Sequence, residues 1–124
     1  MLRKLLRKVL FLRSFDTRCR NTDVAFALGT ILDDDLTILD AGCGDNGIAN
    51  FVSKGRLTGV DLESPSFRRE GLAFVRGSIL SLPFSQDSFA MVTSVDVLEH
   101  LSPEARCIAI REIGVLRPLL PGNP

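Results

Sequence analysis

The stretch TILDAGCGDNGIANF, residues Thr37–Phe51, decides which fold we expect of this chain. A short apolar run ends in Asp40, and glycines follow at Gly42, Gly44 and Gly47. Glycine lets the backbone turn tightly at the end of a strand and lets a ligand approach the main chain closely. A buried strand that leads into such a loop is typical of α/β sheets, which bind ligands at the carboxyl ends of their strands.

Further apolar segments without an alternating polar face follow this loop, and such segments are typical of buried parallel strands. The predicted strands are Leu36–Leu39, Arg56–Leu62, Leu72–Gly77 and Phe89–Val95. The predicted helices cover about Asn21–Leu32, Gly47–Ser53 and Ser102–Leu116. The alternation predicts an α/β fold with a Rossmann-like, doubly wound, mostly parallel sheet of about four strands. Because only nine residues separate Leu62 from Leu72, the crossover helix there should be a single turn or absent.

The beginning of the chain is basic although the formal net charge is 0. Leucines and Val9 recur at helical spacing within Met1–Phe15, with arginines and lysines between them, which predicts an amphipathic helix. Such a helix can pack on the edge of the domain, contact a membrane surface through residues 1–12, or act as a transit peptide. The residues leave these three alternatives open.

The three cysteines, Cys19, Cys43 and Cys107, lie far apart and show no metal-ligand spacing. We therefore predict no metal site and expect a reducing, cytoplasmic location. No apolar run approaches the roughly 20 residues that a membrane-spanning helix needs.

The charges around the glycine loop indicate the chemistry of the ligand. Asp61 ends the second predicted strand, where a carboxylate can accept hydrogen bonds from both hydroxyls of a ribose. The glycine spacing also matches the dinucleotide fingerprint, so an NAD(P)-dependent oxidoreductase is one alternative. Asp40 disfavours it, because a carboxylate beside the loop repels a pyrophosphate. The same carboxylate suits S-adenosylmethionine, which carries an ammonium and a sulfonium and no phosphate.

Four motifs carry a resemblance to a known family. In order they are LDAGCGDNG, GVDL, RGSILSLPFSQDSFAMVTSVDVLEHL and REIGVLRP. Over about Thr37–Pro118 the chain resembles the class I S-adenosylmethionine-dependent methyltransferases, especially the small-molecule branch that includes quinone-biosynthesis enzymes. The resemblance implies transfer of a methyl group from S-adenosylmethionine to a small-molecule or lipid-like acceptor, with no nucleic-acid partner. It divides the chain into an N-terminal helical segment (1–35), the cofactor-binding core (36–118) and a tail (119–124).

The resemblance implies a cofactor contact for ten residues. At the adenosine end, Asp61 would hold the ribose, Leu62 and Ile79 would pack on the adenine, and Ser78 stands where the family usually has an acid.

At the methionine end, the residues implied are Asp40, Gly42, Cys43 and Gly44 of the loop, together with Val95 and Asp96 after the fourth strand. No catalytic residue is assigned, since direct methyl transfer needs alignment more than a dedicated base. We expect His100 to be a helix-entry residue rather than a general base.

Two departures from the family have structural consequences. Asn46 stands where the family usually has a third glycine, and asparagine tolerates the left-handed backbone that such a loop requires. The family's sheet has seven strands, whereas four are predicted here, so the fourth strand would have an open apolar edge. An alternative function is therefore a catalytically inactive, truncated module that binds ligand or forms oligomers through that edge.

Overall fold

The computed structural model describes residues 19–29 and 32–116. Its elements in chain order are α1 (residues 19–29), β1 (Thr37–Ala41), a 3-10 helix (Gly47–Asn50), β2 (Arg56–Asp61), β3 (Ala73–Arg76), β4 (Met91–Thr93), a second 3-10 helix (Leu98–His100) and α2 (Pro103–Val115). The amphipathic helix predicted before residue 19, with its membrane-contact alternative, and the tail 119–124 lie outside the described residues. Within the described part of the chain, no helix is long and apolar enough to cross a membrane.

The four strands form one parallel sheet in the order β3-β2-β1-β4. Asp40 of β1 pairs with Gly59 of β2 on one side and with Thr93 of β4 on the other. Moving outward from β1, the chain builds β2 and β3 on one side and β4 on the other. The strand order therefore reverses between β1 and β4, which is where α/β sheets bind their ligands.

Helices cover both faces of the sheet, which confirms the predicted doubly wound arrangement. Successive residues of a strand point to opposite faces. Accordingly, Ile38 packs with Leu28 of α1 and Ile48, whereas Leu39 packs with Phe89 and Leu116 on the α2 side. Ile38 and Leu39 are both fully buried, so β1 is the centre of the hydrophobic core.

Helix α2 begins as its sequence predicts. Ser102 is the N-cap, and its Oγ accepts a hydrogen bond from the Ala105 N–H at 3.2 Å. At the other end, the Val115 and Leu116 carbonyls accept hydrogen bonds from the backbone N–H groups of Asp87 and Phe89, both at 3.0 Å. The helix thereby fixes the segment that leads into β4.

Several elements differ from their predicted extent: β1 continues to Ala41, beyond the predicted end at Leu39, and β2 and β3 are each one or two residues shorter than predicted. The segment predicted as a short helix over Gly47–Ser53 is a 3-10 helix that ends at Asn50, and β4 is shorter than the predicted Phe89–Val95. Both segments are followed by tight turns at the carboxyl edge of the sheet, and those turns end the regular structure early; β4 also begins two residues later than predicted. As predicted, no helix forms between β2 and β3, where residues 62–72 run as bends and turns.

Candidate functional site

The glycine loop crosses the carboxyl end of β1 in a tight, largely left-handed conformation. The φ angle is 80° at Gly42 and 48° at Gly47. A Cβ atom at Gly42 would collide with the Val97 side chain, and one at Gly47 would collide with the Asp40 carboxylate. Only glycine fits these two positions, and the result is a bare backbone at the edge of the sheet.

Asp40 lies beneath this loop, where the structure gives it a supporting position. Only 3% of the residue is exposed. Its Oδ2 accepts a hydrogen bond from the Ile48 N–H at 3.0 Å, and its Oδ1 accepts one from the Thr93 hydroxyl at 3.1 Å. Burial raises the pKa of Asp40 to about 6, against the lowering effect of these hydrogen bonds. Near neutral pH the carboxylate is therefore mostly ionised, and it acts on a ligand through its charge and through the loop that it holds.

The pKa of the Cys43 thiol is affected by burial and by the same negative charges. The Cys43 side chain is buried, and a Cβ atom at the neighbouring Gly59 would collide with its Sγ. Burial, followed by the charges of Asp40 and Asp61, raises the pKa of the Cys43 thiol to about 12. A thiol that stays protonated is a poor nucleophile, so Cys43 contributes packing rather than covalent chemistry.

Asp61 is held in a fixed orientation at the carboxyl end of β2. Its Oδ2 accepts a hydrogen bond from the Gly44 N–H at 2.8 Å, and its Oδ1 accepts one from the Leu62 N–H at 2.7 Å. Each carboxylate oxygen has two lone pairs, so both can accept a further hydrogen bond from a ligand hydroxyl. Leu62, next to it, is 63% exposed and presents an apolar side chain to solvent.

Ser78 and Ile79 follow β3, at the same edge as Asp61. The Gly77 N–H donates to the Asp61 carbonyl at 2.9 Å, which brings this segment beside the end of β2. The Ser78 hydroxyl accepts a hydrogen bond from the Leu80 N–H at 3.1 Å. Ile79 packs partly against the core on the α2 side, so its backbone is the part best placed for a ligand.

Val95 and Asp96 follow β4 and approach the glycine loop from the other side. Val95 packs partly against the core on the α1 side, and Asp96 has a left-handed φ of 57°. The Asp96 carboxylate forms an ion pair with the guanidinium of Arg20 on α1. The same guanidinium lies 3.6 Å from a carboxylate oxygen of Glu99. Nothing in the sequence pattern predicts this contact, because Arg20 is one of many cations in the basic N-terminal segment.

Asn46 and Asp45 tie the glycine loop to the short β2–β3 connection. The Asn46 side chain, fully buried, donates to the Phe67 carbonyl at 3.0 Å and accepts from the Arg69 N–H at 3.3 Å. Asp45 accepts a hydrogen bond from the Ser66 N–H at 2.7 Å. The φ of 71° at Asn46 confirms its predicted left-handed backbone, but the role of its amide was missed. The burial of this amide depends on three-dimensional contacts, so no signal for it was present in the sequence.

His100 ends the second 3-10 helix and is exposed. Asp61 contacts the glycine loop at Gly44, Val97 lies against the same loop at Gly42, and the neighbouring Asp96 pairs with Arg20 of α1. Their geometry offers a carboxylate for hydroxyl groups, a bare backbone, and a mixed-charge cluster at the far end.

Comparisons with known proteins agree with this geometry. A family model described as a methyltransferase domain matches residues 39–118. The phthiotriol/phenolphthiotriol dimycocerosates methyltransferase of Mycobacterium tuberculosis is 33% identical over 92 residues, which cover 65% of this chain and 34% of that protein. The protein of the same name from Mycobacterium leprae is 30% identical over the same shares. The chain thus spans about a third of the length of these relatives.

The fold also matches solved structures. The Burkholderia thailandensis 1,6-didemethyltoxoflavin-N1-methyltransferase, solved with 1,6-didemethyltoxoflavin and S-adenosylhomocysteine, superposes with a TM-score of 0.64. It is 22% identical, and the match covers 78% of this chain and 45% of that one. At this identity the likeness concerns the fold alone.

Proposed function

The chain belongs to the methyltransferase domain family, and we propose that its core binds S-adenosylmethionine along the carboxyl edge of the sheet. One observation carries the proposal: the Asp61 carboxylate is fixed beside the Gly44 N–H, next to a loop that only glycines can form. This arrangement presents acceptors for the ribose hydroxyls beside the bare backbone that the rest of the ligand can follow. The exposed Leu62 side chain, next to Asp61, would pack on the adenine.

The charge of the site supports a cationic ligand over a phosphorylated one. Asp40 is ionised near neutral pH beneath the loop, and Asp61 adds a second carboxylate at its end. A pyrophosphate on this loop would be repelled, whereas a sulfonium and an ammonium would be attracted. The NAD(P)-dependent alternative is disfavoured for this reason.

The proposed reaction is methyl transfer to a small-molecule or lipid-like acceptor. The relatives named above as methyltransferases of phthiotriol dimycocerosates support an acceptor of this class. When bound, the cofactor supplies an electrophilic methyl carbon. The residues of this chain would orient the cofactor, with Asp61 at the ribose and the loop backbone along its length. Their contribution to the rate is alignment and a matching electrostatic field.

Calorimetry with S-adenosylhomocysteine tests the proposal. Asp61→Ala should lose about tenfold or more in affinity, since a hydrogen bond to a charged group is worth roughly 1.5–3 kcal/mol. Glu63→Ala is the matched control, because Glu63 is an exposed acid two residues further along the chain. Equal binding by the Asp61→Ala protein and the wild type would refute the ribose contact.

A second candidate is a catalytically inactive module that binds ligand or associates with a partner. Two observations favour it: β4 lies at the edge of the described sheet, and α2 exposes Ile108 and Val115 by about half of their surface. Methyl transfer from radiolabelled cofactor to a panel of hydroxylated lipids and quinols separates the candidates. The cytoplasmic location and the membrane contact through residues 1–12 belong to the proposal as well.

A further inference from the structure

We propose that the β2–β3 cavity, an open cavity at the amino ends of these two strands, binds a short apolar carboxylate such as a medium-chain fatty acid. The cavity has a volume of about 270 Å³. Its lining includes Gly55 and Leu57 at the start of β2 and Gly71 and Leu72 just before β3. The proposed cofactor lies at the carboxyl ends of the same strands, so this inference goes beyond the proposed function.

The cavity lies where no helix covers the sheet. The crossover between two parallel strands usually places a helix on the sheet, but residues 62–72 run as bends and turns. Leu57 and Leu72 are therefore only partly buried. Leu57 packs against the core on the α1 side, and Gly59 follows it on the same face of β2. A Cβ atom at Gly59 would lie 3.8 Å from the Leu72 side chain, so the two leucines share one apolar surface.

Two further apolar residues line the cavity beside these leucines. Ala49 belongs to the first 3-10 helix and is 5% exposed, and Val52 follows that helix and packs partly against the α1-side core. Ligand pockets usually have volumes of roughly 300–1,000 Å³. A cavity just below this range, with an apolar lining, fits a small ligand that buries a short hydrocarbon chain.

The rim of the cavity carries more free positive than negative charge. Arg69 lines the cavity, and its guanidinium makes no hydrogen bond or ion pair with any of the described residues. Lys54, between the lining residues Ser53 and Gly55, has no ion pair within the described part of the chain either. Glu70 is the one acid among the lining residues. The two cations therefore attract an anion, and a guanidinium can bind a carboxylate through two parallel hydrogen bonds.

Backbone donors add to this preference for an anion. The N–H groups of Gly55 and Gly71, which both line the cavity, donate no hydrogen bond to residues that the structure describes. Donors without a protein acceptor bond to water or to a ligand. The charges and donors favour an anionic group and the leucines favour an apolar body, and a short fatty acid combines the two.

Calorimetry of the wild-type protein with octanoate, octanamide and acetate tests the site. Octanamide keeps the hydrocarbon chain and loses the charge, whereas acetate keeps the charge and loses the chain. Octanoate should bind at least about tenfold more tightly than either. Equal binding of acetate would overturn the apolar contact, and equal binding of octanamide would overturn the role of charge. Absence of octanoate binding would overturn the proposal as a whole.

Substitutions in three consecutive residues locate the binding site. Arg69→Gln should weaken octanoate by about fivefold or more, and Glu70→Gln should strengthen it, because one removes an attraction and the other a repulsion. Arg68→Gln is the matched control, since the Arg68 guanidinium lies over the Phe74 ring, 5.5 Å from its centroid, and does not line the cavity. It should leave the affinity within about twofold.

Opposite effects at Arg69 and Glu70 would show that the cavity selects a cation and would overturn the proposal. Equal weakening by Arg68→Gln and Arg69→Gln would also overturn it, because the attraction would then come from the general surface charge. The comparison of the three ligands uses the wild type, so it decides even if a variant does not fold. Octanoate that competes with S-adenosylhomocysteine would place its site at the cofactor edge and contradict a separate cavity. A wild type that binds octanoate and not S-adenosylhomocysteine would support the cavity and refute only the proposed function.

Discussion

At the scale of single residues, burial and hydrogen bonding shift the pKa of Asp40 in opposite directions. Its burial disfavours the charged form, yet the Ile48 N–H and the Thr93 hydroxyl favour it. Burial is the larger effect, so the pKa rises. The negative charge of Asp40 beneath the glycine loop therefore lowers the stability of the folded state near neutral pH.

This conflict predicts how stability depends on pH. Because Asp40 binds its proton more tightly in the folded state, its contribution is greatest below its unfolded pKa of 3.8 and is lost as pH rises to about 6. Asp40→Asn removes this loss. Relative to the wild type, the variant should gain up to about 3 kcal/mol between pH 4 and pH 7.

Urea denaturation followed by circular dichroism measures this difference, since the chain has no Trp or Tyr for fluorescence. The exposed Glu63→Gln variant is the control and should show no such gain. A stability difference between Asp40→Asn and the wild type that is constant with pH would contradict the burial argument.

Contacts between residues distant in sequence were the part of the site that the sequence did not predict. The acid before the loop, the loop glycines and Asp61 could be predicted because each lies at or just beyond the carboxyl end of a buried strand. Thr93 and Arg20 could not, since their roles depend on which strand or helix lies beside which.

At the scale of elements, the β2–β3 connection shows how a fold tolerates a missing crossover helix. Asp45 and Asn46 of the glycine loop make four hydrogen bonds to the connection, two at Ser66 and one each at Phe67 and Arg69. These bonds anchor residues 62–72 against the loop. The absence of a helix was predictable from the length of the link, but its replacement by two side chains depends on three-dimensional contacts.

Substitutions at Asn46 test whether its amide or only its backbone matters. Asn46→Gly keeps the left-handed conformation and removes both side-chain hydrogen bonds, so we expect a loss of about 1–3 kcal/mol in the free energy of unfolding. Asn46→Ala should lose about 1 kcal/mol more, because alanine is strained at this φ.

The control for this series is Asn50→Ala. Asn50 lies just beyond the same loop, but it is exposed, and its amide bonds only to nearby carbonyls. Asn50→Ala should lower the free energy of unfolding by less than about 1 kcal/mol, measured by urea denaturation. An Asn46→Gly protein as stable as the wild type would show that the loop needs only a flexible backbone there.

At the scale of the whole molecule, β4 is an edge strand of the described sheet. The four strands, their parallel order and the two covered faces all followed from buried apolar segments, which are local signals. Which segment or partner would pack against the free edge of β4 does not follow from such local signals. On α2, Ile108 and Val115 are seven residues apart and therefore lie on the same exposed face.

We expect this surface to support self-association. Light scattering should show a molar mass that rises with protein concentration, and Ile108→Lys should reduce the rise, because a charge on an apolar contact is costly to bury. Ile110→Lys is the control, since two helical positions place it on nearly the opposite side of α2. A monomer of constant mass at about 100 μM would refute the expectation, as typical weak contacts are populated at that concentration.

The claim on which the account depends most is electrostatic: the carboxylates around a bare glycine backbone select a positively charged nucleoside over a phosphorylated one. The most direct measurement is calorimetry of the wild-type protein at pH 7.5 with S-adenosylmethionine and, separately, with NAD⁺. We predict that S-adenosylmethionine binds more tightly by about tenfold or more. Tighter binding of the dinucleotide would contradict the claim.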